Sequence, residues 1–312
     1  MELTLGKRRR LQQAASPSGT FTVLAIDHRG PLRRRLEKEP GVRDVDVTLA
    51  EVKRDIVRAL GGPSTAVLLD PEYGLGACIP TGALPGTTGL LIALDTGSTG
   101  DPAVLKTGLV EGWDPARIAR VGGSGVKLLV YYHPEAPQAG EVEALVRRIG
   151  AQCEAAEIPL YLEPLSYDPA DPSRPLPSAN RRAVVVETAR RLTPLGVDIL
   201  KAEFPVNAVE VPDEAAWRDA CTELTAASTV PWVLLSAGVS LPVFVRQTSV
   251  ACESGASGVI AGRALWNEAV TADAGARRKF LEGEARARLA EVRAICDRAG
   301  RSIYGANAAA SA

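Results

Sequence analysis

Two lysines stand inside apolar segments that are otherwise typical of buried strands. Lys201 lies in GVDILKAEFPV together with Glu203, and Lys127 lies in GVKLLVYY. An ammonium group in such a segment costs several kcal/mol unless it is paired, solvated or neutral. A neutral lysine amine is a nucleophile that forms a Schiff base with a carbonyl group. The two segments therefore indicate amine chemistry, centred on Lys201.

The expected surroundings of Lys201 supply a reason for a neutral amine. Strand alternation places Lys201 and Glu203 on one face, and Lys127 is expected to share the interior that this face lines. A second ammonium group and burial together lower a lysine pKa from about 10.4 toward roughly 7–8. Lysine is also scarce, with 7 lysines against 29 arginines, and arginine cannot be deprotonated at working pH. The alternative is a buried lysine–glutamate ion pair that only holds strand register.

A Schiff-base enzyme that acts on a sugar also needs a proton shuttle and an anion anchor. Glu163 in YLEPL is suited to general acid–base catalysis, and Asp27 in AIDHRG to orienting hydroxyl groups or the imine. The segments SAG (236–238) and AGR (261–263) end the last two strand-like segments, where barrels often bind phosphate through backbone N–H groups. Arg263 adds a bidentate fork for phosphate. Glycines that only form tight turns are the alternative.

The chain has two histidines, His28 and His133, and both follow strand-like segments. His28 and Arg29 are expected to read the far end of the substrate, for instance a second anionic group; a purely structural histidine is the alternative. Two histidines without a matching cysteine or carboxylate pattern make a poor metal site, so no metal is expected. Asp70 and Asp95 each end a strand-like segment in turn-rich sequence, where a turn-capping role competes equally with a functional one.

The residues just described need a scaffold that brings strand ends together. Short apolar segments recur along the chain, and stretches with helical periodicity lie between them, for example 49–62, 139–157, 180–196 and 241–256. Continuous apolar runs are expected when both faces of a parallel sheet are covered. Eight such units predict an α/β fold of the (β/α)8 TIM-barrel type, with an open doubly wound sheet as the alternative. The strand-like segments are 21–27, 66–70, 89–95, 125–132, 158–165, 197–205, 230–238 and 257–263.

The organisation along the chain predicts one domain over residues 1–312. Residues 1–20 form an N-terminal extension, expected to add a short helix that closes the bottom of the barrel. The Pro-rich loop 166–180 follows the fifth strand on the catalytic rim, and a long ordered loop there suggests a lid. Residues 305–312 are expected to be a flexible tail.

Composition excludes several classes of protein. A formal net charge of -1 gives no electrostatic case for nucleic acid or an anionic membrane surface. The five scattered cysteines form no zinc or disulfide pattern, which fits a reducing compartment. No signal peptide and no membrane span is expected, so the predicted location is cytoplasmic. No cofactor is expected either, because GLGACIPTG and GGSG both lack the spacing of a dinucleotide-binding loop.

Seven motifs, in order from about residue 20 to 300, give the chain a family resemblance. LAIDHRG, VLLDPEYG, GVKLLVYYHP, LYLEPLSY, DILKAEFPV, LLSAGVS and GVIAGRALW together resemble the class I tagatose-1,6-bisphosphate aldolase family. The resemblance implies metal-independent cleavage of a ketose bisphosphate into dihydroxyacetone phosphate and glyceraldehyde 3-phosphate, with Lys201 as the imine lysine and Glu163 as its acid/base partner. It also implies that Lys127 and Asp27 contact the substrate in the lumen. The residues it assigns to the dihydroxyacetone-phosphate end are Ser236, Gly238, Gly262 and Arg263.

The same resemblance leaves the substrate open. The family includes aldolases for 6-deoxy-6-sulfofructose 1-phosphate, which release dihydroxyacetone phosphate and 3-sulfolactaldehyde. This chain has DHR after the first strand where DQR is expected. His28 and Arg29 are the expected readers of the distal group, so this difference leaves open whether that group is a phosphate or a sulfonate. Fructose 1,6-bisphosphate is a further candidate substrate. A non-catalytic sensor of sugar phosphates is the alternative from another class. A homo-oligomer is compatible with the sequence, which identifies no interface and leaves the oligomeric state open.

Overall fold

The architecture is an eight-stranded parallel barrel surrounded by helices. The computed structural model describes residues 3–98, 105–171, 176 and 178–304. The described strands are β1 (Phe21–Ala25), β2 (Ala66–Leu69), β3 (Gly89–Ala93), β4 (Asp95–Ser98), β5 (Thr107–Leu109), β6 (Gly125–Tyr131), β7 (Leu160–Leu165), β8 (Ile199–Ala202), β9 (Trp232–Leu235) and β10 (Gly258–Ala261).

Closure of the barrel decides between the two predicted sheet types. The strand order is β1-β10-β9-β8-β7-β6-β3-β2, and β1 pairs in parallel with both β10 and β2. A sheet whose first strand pairs on both sides with the last strand and the second has no free edge. The (β/α)8 barrel is therefore confirmed, and the open doubly wound sheet is wrong.

The barrel strands are shorter than their apolar segments. The segment 197–205, for example, contributes only β8, and 21–27 contributes only β1, because the apolar residues continue past the last ladder hydrogen bond into the loops at the barrel mouth. The antiparallel pair β4–β5 was not predicted. Asp95, which was expected to end the third strand, instead begins β4, because β3 ends at Ala93.

The helices cover the outside of the barrel. The large hydrophobic core lies between their inner faces and the outward-facing strand residues. The described helices are α1 (Leu5–Ala14), α2 (Gly30–Leu36), α3 (Val45–Leu60), α4 (Gly74–Cys78), α5 (Pro115–Arg120), α6 (Ala139–Ala155), α7 (Ser178–Leu192), α8 (Glu214–Ala227), α9 (Leu241–Glu253), α10 (Arg263–Trp266), α11 (Ala274–Phe280) and α12 (Arg286–Ala299), with a 3-10 turn at Asn267–Ala269 and a π-helical turn at Leu281–Ala285.

A second, smaller core fills the lower part of the lumen. Its members come from alternate positions of the strands, as the period of two requires. Gly125 leaves room here for the ring of Tyr161, whose Cε2 would lie 2.4 Å from a β-carbon at residue 125. The lumen is therefore closed below by apolar side chains, and polar groups can occupy it only above this layer. The buried members are Leu11, Ala14, Phe21, Val23, Ala25, Ala66, Leu68, Leu91, Ala93, Tyr161, Ile199, Val233 and Ile260.

The N-terminal helix α1 lies at the bottom of the barrel. Its residues Leu11 and Ala14 belong to the lower lumen core, and its contacts are to β3 and β6. The ammonium group of Lys7 lies 3.0 Å from the carboxylate of Asp198, at the N-terminal side of β8, and 2.7 Å from that of Glu154. Lys7 is thus a buried and paired lysine at the end of the barrel opposite to the end where the chemistry is expected.

Three further predictions concern the lid and tail segments, membrane-spanning helices and the cysteines. Residues 172–175 and 177 of the predicted lid, and the predicted tail 305–312, lie outside the described residues. No helix in the described part of the chain is long and apolar enough to cross a membrane. All five cysteines are buried and free.

Candidate active site

A cavity of about 700 Å³ opens where the carboxyl ends of the barrel strands meet. Its wall takes in each residue predicted for the site except Gly238, which follows the wall residue Ala237. The predicted residues that line the cavity are Asp27, His28, Arg29, Lys127, Glu163, Lys201, Ser236, Gly262 and Arg263. The position agrees with the general placement of active sites in barrels of this type.

The charged residues reach this cavity because of strand parity. Tyr161 and Ile199 are members of the lower lumen core, and Glu163 and Lys201 follow them by two positions on the same strands or at their ends. The side chains of alternate residues point to one face, so one lumen-facing residue of each strand lies in the lower apolar layer and the residue two positions later lies in a charged layer above it. The same relation joins Ala25 to Asp27, Ala93 to Asp95 and Gly125 to Lys127.

Glu163 bridges the two lysines. Its Oε1 lies 2.8 Å from the Nζ of Lys201, and its Oε2 lies 2.9 Å from the Nζ of Lys127. All three side chains are less than a tenth exposed. Burial alone would raise the pKa of Glu163, but the two ammonium groups outweigh it and hold that pKa below its usual value. A carboxylate at this position can exchange a proton with a group attached to Lys201.

Lys127 is the centre of the charged layer. Its Nζ lies 2.9 Å from Asp27 Oδ2 and 3.1 Å from Asp95 Oδ1, in addition to its contact with Glu163. Burial would lower the pKa of Lys127, but the three carboxylates reverse this and hold it well above its usual value. Burial likewise would raise the pKa of Asp27, whereas Lys127 and then Lys201 hold it below its usual value. Lys127 is thus a fixed positive charge, unsuited to act as a nucleophile.

Asp95 is a site residue that the sequence left undecided. Its Oδ1 also accepts a hydrogen bond of 2.8 Å from the backbone N–H of Leu129, and Arg29 donates to its backbone carbonyl. The carboxylate is 2% exposed and lines the cavity. Asp95 therefore links the cation of strand β6 to the loop after β1. Its spacing of two from the lumen residue Ala93 is the signal that could have identified it.

Arg29 is already occupied by carboxylates. One guanidinium nitrogen lies 3.1 Å from Glu72 Oε2, and the other lies 3.7 Å from Asp95 Oδ2. A cation whose charge is balanced in this way attracts a second anion weakly, because the new anion has to compete with the existing partners. The expected role of Arg29 at the distal end of the substrate stays a prediction, with this competition against it.

His28 lies beside the loop expected to hold phosphate. Its ring packs edge-on against Trp266, with centroids 5.4 Å apart, and its Cε1 would lie 3.0 Å from a β-carbon at Gly262. The Nδ1 is buried, has no hydrogen-bond partner in the described structure, and lies 3.8 Å from Asp27 Oδ1. Burial lowers the pKa of His28 to about 4; Asp27 opposes this shift, and Arg263 and Lys201 reinforce it. The imidazole is therefore neutral at physiological pH.

The two loops after β9 and β10 form a joined turn. The Oγ of Ser236 accepts a hydrogen bond of 3.3 Å from the backbone N–H of Gly262. Ala237 has a left-handed φ of 46°, which is uncommon for a residue with a side chain, and Gly238 follows with a φ of 77°. The guanidinium of Arg263 lies over Gly238, its Cζ 3.0 Å from where a β-carbon would stand. A side chain at residue 238 would displace the predicted phosphate-binding arginine.

Glu203 anchors the loop that follows β7. Its Oε2 accepts from the backbone N–H (2.7 Å) and the hydroxyl (2.5 Å) of Ser166, and its Oε1 lies 2.6 Å from a guanidinium nitrogen of Arg181. Arg181 also donates to the carbonyl of Phe204. The carboxylate of Glu203 therefore pairs with Arg181 while Lys201 pairs with Glu163, and both flanks of the loop are tied to the end of the strand that carries Lys201.

Two candidates from the sequence lie away from the cavity wall. His133 is buried, accepts a hydrogen bond from the N–H of Glu135, and packs against Tyr167. Asp70 forms a fully buried ion pair with Lys53 and accepts from the backbone N–H of Tyr73, which is the turn-capping role. Buried Lys7 and Lys53 also show that the scarcity of lysine does not single out the lumen pair.

The chain is similar in sequence to a family of known aldolases. Residues 21–268 match the DeoC/LacD family aldolases. The chain belongs to this family. Among its relatives, the tagatose 1,6-diphosphate aldolase of Streptococcus agalactiae serotype V (strain ATCC BAA-611 / 2603 V/R) is 33% identical over 92% of this chain and 91% of its own. Tagatose 1,6-diphosphate aldolase 2 of Streptococcus pyogenes serotype M1 is 34% identical over 85% of each chain. The family assignment confirms the resemblance inferred from the motifs.

Solved structures share the aldolase barrel at lower identity. A Schiff-base-forming fructose-1,6-bisphosphate aldolase has a TM-score of 0.61 and 17% identity, covering 92% of this chain and 99% of its own. Fructose-bisphosphate aldolase from Plasmodium falciparum has a TM-score of 0.71 and 15% identity, covering 98% of both chains. At these identities the likeness supports the fold, and the chemistry has to be argued from the side chains of this family member.

Proposed function

We propose that the protein is a class I aldolase that cleaves a ketose 1,6-bisphosphate, foremost tagatose 1,6-bisphosphate, through an imine at Lys201. The products are dihydroxyacetone phosphate and glyceraldehyde 3-phosphate. The observation that carries the proposal is the contact of 2.8 Å between Lys201 Nζ and Glu163 Oε1, at the bottom of a cavity large enough for a sugar bisphosphate. The names of the streptococcal relatives support the choice of tagatose 1,6-bisphosphate.

The geometry supports imine formation as the first step. Lys201 in its neutral form adds to the C2 carbonyl of the open-chain ketose and gives a carbinolamine. Glu163, ionised at rest and within hydrogen-bond distance of the same nitrogen, takes up the proton that Lys201 gives up on becoming neutral. It then returns this proton to the departing C2 hydroxyl, which leaves as water. The product is a protonated imine, whose positive charge faces the carboxylates of Asp27 and Glu163.

Carbon–carbon cleavage uses the imine as an electron sink. The ionised carboxylate of Glu163 accepts the proton of the C4 hydroxyl, the C3–C4 bond breaks, and its electron pair moves into the imine to form an enamine. The C4 fragment leaves as an aldehyde. Protonation at C3 and hydrolysis by water then release dihydroxyacetone phosphate and restore the amine of Lys201. Asp27 and Lys127 are proposed to orient substrate hydroxyl groups during these steps.

Phosphate binding is proposed for the joined turn after β9 and β10. The hydroxyl of Ser236, the backbone N–H groups near Gly238 and Gly262, and the guanidinium of Arg263 present donors to one end of the cavity. His28, held neutral beside Gly262, adds a hydrogen-bonding group without charge at this end. This arrangement fits the phosphate of the dihydroxyacetone half.

Metal independence is part of the proposal. The carboxylates that could attract a divalent cation in the lumen, Asp27, Asp95 and Glu163, all have oxygens within about 3 Å of the Lys127 ammonium group. A metal ion in their midst would be repelled by that fixed charge. Activity after exhaustive dialysis against a chelator should equal the activity before it.

Borohydride trapping tests the imine. Incubation with dihydroxyacetone phosphate and borohydride should add the mass of the reduced adduct to the peptide that contains Lys201. Lys201→Ala and Lys201→Arg should both abolish trapping and turnover, the latter because a guanidinium group forms no imine here. Circular dichroism checks that both variants are folded. Adduct formation on another lysine, or turnover by folded Lys201→Ala, would refute the assignment.

The same experiment separates the enzyme from a sensor of sugar phosphates. Failure of trapping together with retained binding of dihydroxyacetone phosphate would favour the sensor. Rates of cleavage of tagatose 1,6-bisphosphate, fructose 1,6-bisphosphate and 6-deoxy-6-sulfofructose 1-phosphate, measured side by side, identify the substrate. The proposal expects the highest kcat/KM for a bisphosphate.

A further inference from the structure

Helix α2 carries three consecutive arginines at the edge of the cavity, and they have different surroundings. Arg33 is paired outside the cavity, 3.3 Å from Glu37 and in contact with Asp46. Arg35 donates to both the backbone carbonyl and the side chain of Asn267. Arg34 alone of the three lines the cavity, and within the described structure it has no hydrogen bond or ion pair.

The unbalanced positive charge of the cavity is confined to two guanidinium groups. Lys127 and Lys201 are bonded to carboxylates, and Arg29 is bonded to Glu72 and to the loop of Asp95. Among the described wall residues, the cations without a carboxylate partner are Arg34 and Arg263. An incoming oxyanion gains most from a guanidinium that does not have to release an existing partner.

These two arginines reach the cavity from different helices, Arg34 from α2 and Arg263 from the start of α10. Arg263 lies over Gly238, on the turn proposed to bind the phosphate of the dihydroxyacetone half. Arg34 folds back over Gly30 at the start of α2, and its Nη1 would lie 3.2 Å from a β-carbon at residue 30. The absence of a side chain at Gly30, which also lines the cavity, leaves the space that the Arg34 guanidinium uses.

We propose that Arg34 binds a second oxyanion, the phosphate or sulfonate at the distal end of the ketose, and so sets specificity for substrates charged at both ends. This inference rests on the proposed aldolase function for its substrate. It assigns the distal anion to Arg34 in place of the occupied Arg29. Both phosphate and sulfonate present the tetrahedral oxygens that a guanidinium fork binds.

The kinetic test compares substrates with and without the distal anion. Arg34→Ala should lower kcat/KM for tagatose 1,6-bisphosphate about 10- to 100-fold, mainly through KM, as loss of a charge-assisted hydrogen bond predicts. The variant should change kcat/KM for tagatose 1-phosphate by less than about twofold. Arg33→Ala and Arg35→Ala are matched controls on the same helix, and neither should discriminate between the two substrates.

Gly30→Ala provides a second, independent variant. Gly30 has no left-handed φ, so alanine is compatible with the backbone, and its methyl group would stand 3.2 Å from Arg34 Nη1, so the guanidinium has to shift by a few tenths of an ångström. The loss should be smaller than in Arg34→Ala, because the guanidinium is shifted and not removed, and it should again be confined to the bisphosphate. Equal losses on tagatose 1,6-bisphosphate and tagatose 1-phosphate in Arg34→Ala would place Arg34 at the proximal phosphate and overturn the proposal. No loss on either would overturn it as well.

Binding of non-cleavable analogues separates this inference from the proposed reaction. Hexitol 1,6-bisphosphate and hexitol 1-phosphate have no carbonyl group, so their affinities, measured by calorimetry, do not depend on imine formation. Arg34→Ala should weaken the bisphosphate about 10- to 100-fold and leave the monophosphate unchanged. If trapping fails but this pattern holds, the aldolase proposal fails and the anion site stands. A hexitol 1-phosphate with a 6-sulfonate, compared in the same titrations, shows which distal group Arg34 prefers.

Discussion

Lys127→Met is the perturbation with the clearest structural consequence. The substitution keeps a long, unbranched side chain and removes the ammonium group that lies 2.9 Å from Asp27, 3.1 Å from Asp95 and 2.9 Å from Glu163. Three carboxylates are then left with one ammonium group, that of Lys201. The formal charge of the layer, with all groups ionised, changes from −1 to −2.

Two opposing terms set the size of the stability loss: the attraction between Lys127 and the three carboxylates, and the cost of burying these charges. At about 3 Å and an effective dielectric of about 20, each carboxylate contact is worth roughly 5 kcal/mol of attraction. Much of this is offset by the cost of burying the charges, and removal of one partner of a buried ion pair typically costs about 3–5 kcal/mol net. We expect Lys127→Met to lose about this much free energy of unfolding at neutral pH.

The loss should depend on pH in a defined direction. In the wild type, Lys127 holds the pKa values of Asp27 and Glu163 below their usual values, against burial. Their ionised forms therefore stabilise the fold above about pH 4, and this contribution is lost only at lower pH. Without Lys127, burial prevails and raises both pKa values, so ionised carboxylates destabilise the variant at neutral pH. The difference between the two proteins should shrink as the pH falls.

The assay is urea unfolding followed by tryptophan fluorescence at about pH 8 and about pH 5. A stability difference that is below about 1 kcal/mol at both pH values, or that grows at the lower pH, would refute the reasoning. Asp95→Asn serves as a compensating change, because its amide oxygen can still accept the hydrogen bond from Leu129. Added to Lys127→Met, it should recover about 1 kcal/mol or more, since it removes one of the unbalanced charges.

Two other predictions concern the neighbours of Lys201. Glu163→Gln should lower kcat about 100- to 10,000-fold, and borohydride should still label Lys201 but more slowly, because the amine is retained while the acid that expels the C2 hydroxyl is lost; an unchanged kcat would contradict the role of Glu163. His28→Gln should remove a pH-dependent cost: between about pH 6.5 and pH 4 the unfolded chain protonates His28 and the folded chain does not, so wild-type stability falls there by up to about 3 kcal/mol. Parallel stability curves for the two proteins over this range would show that His28 is not held neutral.

Much of this protein was accessible from the sequence because it depends on local periodicity. Apolar segments of strand length at regular intervals predict a barrel, and the period of two within each segment assigns side chains to faces. Lys201 and Glu163 could therefore be placed in the lumen without knowledge of any contact. The exact strand ends and the hairpin β4–β5 could not, because a strand ends where its neighbour stops pairing, and this depends on the whole sheet.

The sequence by itself determined the family resemblance, the repeating strand and helix units and the face on which Lys201, Lys127 and Glu163 lie, since these follow from residue types and their spacing along one strand. Only the tertiary structure decided which charges meet. Asp27 and Lys127 are 100 residues apart and come within 2.9 Å because β-sheet closure and strand register set the height of each side chain in the lumen. The same closure occupies Arg29 with carboxylates and leaves Arg34 open to the cavity, although both follow the same strand. The spacing of residues along a strand sets the face to which each side chain points, whereas the distances between charges on different strands are set by the closed barrel.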